Sequence, residues 1–201
     1  MIIRSESHQR RLRAGVVGVV LAVVLAVAGC GTDAADEPSD PVAVSSVQTS
    51  PAEPVPTDSA PKTAEQSRDS GVTVTDLRIG HHEGFDRVVY EFGGTGTPGW
   101  NVAYVDKAVQ DASGKDITVA GSSILEVRIT GSAYPFDSGV TEYSGPDPLT
   151  EPSATVVAEV QLATLFEGVT QSFIGVNGDR PAFTVTALSE PTRLVVDVAA
   201  P

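Results

Sequence analysis

The densest group of residues able to do chemistry is His81-His82-Glu83-Gly84-Phe85-Asp86. A zinc-protease reading requires His-Glu-x-x-His on a helix, where the two histidines share a face and the glutamate acts as base. Here the position that should hold the second histidine is Asp86, and Gly84 in a strand-rich stretch points to a turn. Neighbouring strand residues project to opposite faces, so His81 and His82 cannot grip one ion. No metal site and no cofactor are expected. Ser59 and Lys62 have the Ser-x-x-Lys spacing of a nucleophile with its base, but they lie among prolines and serines, where nothing would preorganise them. The chain has no Gly-x-Ser-x-Gly elbow, phosphate loop or dinucleotide fingerprint. Carboxylate pairs are plentiful, yet aromatic residues for sugar stacking are sparse, which argues against a glycosidase dyad. No residue is nominated as catalytic, and the chain reads as a non-enzyme.

The one other reactive side chain is Cys30, the single cysteine of the 201 residues. A lone cysteine excludes an internal disulfide and a cysteine metal cluster. Before it stand a basic head with Arg4, Arg10, Arg11 and Arg13, an apolar run from Ala14 to Ala28, and the small residues Ala28 and Gly29. The run is too short for an ordinary membrane span and suits the core of a signal peptide. With "VAGC" at its end it resembles a bacterial lipobox, which implies cleavage after residue 29, diacylglycerol on the Cys30 sulfur and acylation of the new amine. Each buried methylene of such chains contributes about 0.8 kcal/mol, so two or three chains would hold the protein to a membrane, on the extracytoplasmic face.

Residues 1–29 carry four arginines and one glutamate; without them the chain has 9 basic and 25 acidic residues, net −16. That charge repels phosphate backbones and excludes nucleic acid as a natural partner. From 31 to 70 the chain has no aromatic residue and is rich in Pro, Ser, Thr and acid. Such a composition cannot bury enough apolar surface to offset ordering entropy, so residues 30–70 read as a disordered linker with a reach of roughly 35 Å.

Residues 71–201 are the globular unit. Eight short segments rich in Val, Ile, Thr and aromatics (72–79, 86–92, 100–105, 124–130, 155–162, 169–176, 182–188 and 192–199) alternate with Gly, Pro, Asn and Asp. No helical period is sustained, so the fold class is all-β: a single β-sandwich or flattened β-barrel of about eight strands. Residues 163–167 fit either a short helix or a continuing strand. Asn177-Gly178 suits a tight hairpin turn. The irregular segment 132–153 is long for a connection, and long ordered loops often carry function.

One pattern occurs twice. "GFDRVVYEF" (84–92) and "EPTRLVVDV" (190–198) each run from an arginine through apolar residues to an acid four places on. By strand alternation Val88, Tyr90 and Phe92 share one face, as do Leu194, Val196 and Val198, leaving Arg87, Glu91, Arg193 and Asp197 on the other. The repetition fits two strands used alike, in related halves or by chance recurrence.

These two strands, with "FEGVTQSFIGVNGDRPAFTV" (166–185) leading into the second, resemble the recurrent strands of AMIN domains. Residues 71–201 as a whole are similar to the AMIN-like domain of actinobacterial lipoproteins. The resemblance implies a noncatalytic β module that localises proteins in the cell envelope, in some cases by binding peptidoglycan. The candidate binding residues are Trp100, which follows the glycine-rich "GGTGTPG", Tyr134 and Tyr143 in the long loop near Phe136, and Arg87 and Arg193, which suit carboxylates of wall peptides. Trp100 and Phe136 equally suit plugs at the ends of the fold. The expected partners are the membrane, through lipid on Cys30, and peptidoglycan or an envelope protein; the alternative is a small-ligand carrier or sensor with a pocket in the β domain. Nothing in the sequence sets an oligomeric state.

Overall fold

A computed structural model describes residues 53–201. The expected signal peptide, Cys30 and the first part of the expected linker lie outside the described residues.

The strands form two antiparallel sheets, and burial alternates residue by residue along 86–92 and 123–130. The first contains β1 (Lys62–Ala64), β4 (Gly99–Val105), β5 (Ser123–Thr130), β7 (Val169–Val176) and β6 (Val157–Phe166), in that spatial order. The second runs β2 (Gly71–His82), β3 (Phe85–Thr95), β9 (Arg193–Ala199), β8 (Phe183–Leu188). The sheets pack face to face as a sandwich rather than closing into a barrel. Their inner faces meet through Val88, Tyr90 and Phe92 of β3, Leu125, Val127 and Ile129 of β5, Ile174 and Val176 of β7, and Leu194, Val196 and Val198 of β9. Each such side chain, fully buried, contributes about 1.5–3 kcal/mol relative to exposure. The Tyr90 hydroxyl, inside this apolar layer, is 2.9 Å from Ser172 Oγ on the facing sheet, and Ser172 donates in turn to Gln161 O at 2.7 Å. Burial pushes the Tyr90 phenol pKa up, so the group stays a neutral hydroxyl bridging the layers.

Both open sides of the sandwich are covered by irregular chain. On one side residues 131–156 run between the two sheet edges: Ala133 N and Tyr143 N donate to Val72 O and Val74 O of β2, each at 2.8 Å, and Leu149 exchanges two 2.8 Å bonds with Val160 of β6. Edges paired in this way are closed to further strands. The segment includes one helical turn, α1 (Pro135–Ser138), started by proline and ended by Gly139 in the left-handed conformation, with φ 73°. On the other side residues 53–61 form a strap. Phe183 N of β8 donates to Asp58 O at 2.8 Å, and the chain then enters β1 and pairs with β4.

Two expectations change. Residues 53–70 do not behave as linker throughout, because Lys62–Ala64 supplies a backbone ladder to β4 and the Lys62 ammonium sits 4.8 Å from the Phe183 ring centre. Asn177-Gly178 is not a hairpin turn: β7 and β8 belong to different sheets, so the segment with Gly178 at φ 109° carries the chain across the sandwich. Of the two readings left open for 163–167, the strand holds: residues 163–166 continue β6, and the one helical turn among the described residues lies at 135–138. The outer face of β9 is largely covered: Val195 and Asp197 are only 6% and 8% exposed.

Candidate functional site

The two echoing strands are neighbours. β3 and β9 pair antiparallel with Arg87 opposite Asp197 and Glu91 opposite Arg193. Reversal of direction turns a repeated arginine-to-acid pattern into two crossed opposite-charge positions, which explains why both strands carry it. Only one crossed pair closes. Arg87 donates from Nε to Asp197 Oδ1 at 2.7 Å and from Nη2 to Oδ2 at 2.9 Å. These hydrogen bonds raise the Arg87 pKa further against the opposing effect of burial, with Glu53 adding to them. At the other end Glu91 faces Arg78 at 3.3 Å, and Arg193 Nε donates to Pro191 O at 3.2 Å.

The hairpin β2–β3 turns at Glu83-Gly84, with Gly84 at φ 87°, and the cluster around it divides as strand alternation requires. His81 and Asp86 pair across the ladder, with His81 Nδ1 2.8 Å from Asp86 Oδ1. Asp86 is 0% exposed, and its Oδ2 accepts the backbone N–H groups of Thr155, Val156 and Val157 at 2.7, 2.6 and 2.9 Å. Burial opposes the charge, but the bonds from His81 and from those three amides outweigh it and hold the pKa below the usual carboxylate range. Asp86 thus pins the start of β6 to β3 across the two sheets. It is a structural anchor, legible in sequence only as an acid at an inward-facing position. On the other face, the His82 ring stacks on Phe85 with centroids 4.8 Å apart.

A cleft of about 310 Å³ opens at the side covered by the long segment. Val74 of β2, with Leu162 and Leu165 of β6, gives it an apolar floor, while Glu142, Tyr143 and Asp147 approach from the segment. The Tyr143 hydroxyl donates to Pro146 O at 2.9 Å, and burial followed by the negative charges of Asp147 and Asp76 pushes its pKa up. Thr73, Thr164 and Thr170 add hydroxyls to the wall. Following Ala133 of the cleft wall in sequence, Tyr134 and Phe136 stack nearly parallel, centroids 5.3 Å apart and planes 6° apart. Phe136 is 81% exposed, and Tyr134 is tied down by its hydroxyl, which donates to Leu165 O at 3.2 Å. The sheet wall and the polar roof form a concave site of the kind that receives a ligand with one apolar and one polar face, and the aromatic pair stands outside its lining.

The sequence-nominated residues therefore fall in three places. Tyr143 lines the cleft, and Tyr134 is tied to it through its bond to Leu165. Arg87 and Arg193 lie on the outer face of the four-stranded sheet. Trp100, in β4 of the other sheet, is partly buried against the core. Glu142, Asp147 and the three threonines carry no local motif, and only folding brings them together. Among the described residues no group of three or more His, Cys, Asp or Glu is placed to hold a metal ion.

The comparisons with curated proteins and with solved structures gave no match. The family model for the AMIN-like domain matches residues 72–200, from the first residues of β2 to the end of β9. The match takes in every strand except β1, together with the cleft and the two paired strands, and the chain belongs to the AMIN-like domain family.

Proposed function

We propose that this protein is a membrane-anchored envelope lipoprotein whose β domain binds peptidoglycan through the cleft between β2 and β6. AMIN-like domains are non-catalytic binding domains with a peptidoglycan or envelope-related role at the family level. The observation that carries the finer reading is the exposed Tyr134–Phe136 stack beside a cleft rimmed by Glu142, Asp147 and threonine hydroxyls. An amino-sugar ring presents C–H faces that lie flat on an aromatic ring, and hydroxyls and amides that bond to carboxylates and hydroxyls at its edge. Cys30 supplies the lipid, and the residues between it and the strap supply the distance from the bilayer.

The test is co-sedimentation of the full chain, solubilised in mild detergent, with insoluble peptidoglycan, alongside membrane fractionation of a Cys30→Ala chain. Saturable retention that falls with Phe136→Ala, and release of the Cys30→Ala chain from membranes, support the reading. Absence of retention refutes the wall ligand, and membrane association of the Cys30→Ala chain refutes the lipid anchor.

A further inference from the structure

Phe85 points to the outer face of the four-stranded sheet, yet it is only 1% exposed and stands apart from the main core cluster. Two polar groups are built onto its ring. The His82 imidazole stacks on it with planes 4° apart, and the Arg87 guanidinium carbon lies 5.2 Å from its centre. Arg87 directs Nε and Nη2 to Asp197, which leaves Nη1 aimed elsewhere. That nitrogen donates to Glu53 Oε1 at 3.0 Å, while His82 Nδ1 is 3.2 Å from the other oxygen, Oε2. One carboxylate is thus held at both oxygens by two groups whose own positions are set by Phe85 and Asp197.

The carboxylate itself is weakly seated. Glu53 has a side chain 49% exposed, and from residue 53 to 61 the one buried residue is Pro56. Exposed ion pairs of this kind contribute little, so an incoming carboxylate competes mainly with the high local concentration of the attached one. The strap's firmer contacts, at Asp58 and β1, lie further along the chain and survive departure of Glu53. The site also stands apart from the cleft. His82 is eight residues beyond Val74 along β2, about 27 Å at strand rise.

We propose that Arg87 and His82 form a receptor for a ligand carboxylate, filled in the free protein by Glu53 of the chain's own strap. A chain-terminal acid and a side-chain acid share the required chemistry. The strap couples this site to the segment that leads towards Cys30, so entry of a ligand frees the first residues of the strap from the sheet.

The experiment titrates the full chain in detergent micelles, parent and Glu53→Gln, while the His82 ring signals are followed by NMR. The probes are N-acetylglycine for a terminal acid, glutaric acid monoamide for a side-chain acid, and N-acetylglycinamide as the neutral control. The expected result is that Glu53→Gln binds one of the acids at least about five-fold more tightly than the parent, because the tethered competitor is gone. The His82 signals shift on binding, the amide has no effect, and adding His82→Asn to Glu53→Gln abolishes the gain. Equal affinity in parent and Glu53→Gln, no binding by either, or equal binding of the amide overturns the proposal. Wall retention through Phe136 is read separately, so either conclusion can fall without the other.

Discussion

Arg87 and Asp197 face each other across the β3–β9 ladder, 110 residues apart in sequence, joined by two hydrogen bonds of 2.7 and 2.9 Å. Asp197 is 8% exposed, so its charge has little water to fall back on when the arginine is removed. Arg87→Ala should destabilise the domain by about 1–3 kcal/mol, the cost of orphaning a largely buried carboxylate. The double change to Ala and Asn should cost less than the two single changes summed. Arg193→Ala, at the crossed position whose pair does not close, should stay within about 0.5 kcal/mol. Urea denaturation of the four variants checks all three statements.

Asp86 should be the more sensitive acid. Its Oδ2 satisfies three amides at the entrance to β6, so Asp86→Ala leaves the buried donors of Val156 and Val157 open, with that of Thr155 beside them, and should cost about 3 kcal/mol or more. Loss of His81 removes one partner from the half-exposed side and should cost less. The measurement is the urea midpoint of Asp86→Ala against His81→Ala.

The same residue sets an acid limb. Its folded-state pKa lies below the unfolded value, so its charge contributes stability that is fully present above the unfolded carboxylate pKa of about 3.9 and is lost as pH falls through the lower folded value. The parent should therefore lose stability steeply below about pH 4, and Asp86→Asn should be less stable at pH 7 with a shallower acid decline. Thermal unfolding followed from pH 7 to pH 2 tests this; parallel curves for the two proteins would refute it.

Gly175, the next-to-last residue of β7, is required by a close approach rather than by a turn. A Cβ there would stand 1.9 Å from Ala120 O, because residues 119–120 cross directly over the strand. Gly175→Ala should force that crossing outward and cost about 1–3 kcal/mol, while Gly114→Ala, whose Cβ would meet nothing within 4 Å but whose φ is 65°, should cost about 1 kcal/mol. Thermal midpoints of the two variants give the comparison.

Strand identity was legible because β-branched and aromatic runs alternate cleanly and turn residues separate them; all eight expected segments are strands, with ends that differ by a few residues. β1 was hidden because Lys62-Thr63-Ala64 has no apolar alternation of its own and is recruited by the backbone edge of β4. Asn177-Gly178 misled because the local chemistry of a tight turn says nothing about which sheet the next strand joins. The echo between 84–92 and 190–198 was visible as a pattern, but its meaning required antiparallel register, which placed each arginine opposite the other strand's acid. Of the site, the aromatic residues stood out by type. Glu142 and Asp147 did not, since in a chain with 26 acidic residues no single carboxylate is conspicuous. Glu53 was hidden for another reason: it sits in a proline-rich stretch whose composition reads as linker.

Wall binding at the cleft is decided by comparing the parent and Phe136→Ala for retention on insoluble peptidoglycan, with the urea midpoint of each protein as a control for folding. Phe136 is 81% exposed, so its removal should change stability by no more than about 0.5 kcal/mol. The expected result is saturable retention of the parent and at least about a ten-fold weaker association for the equally stable Phe136→Ala, a loss of about 1.4 kcal/mol at the aromatic step. Equal retention of the two proteins, or none by either, would contradict a wall-binding site at the cleft.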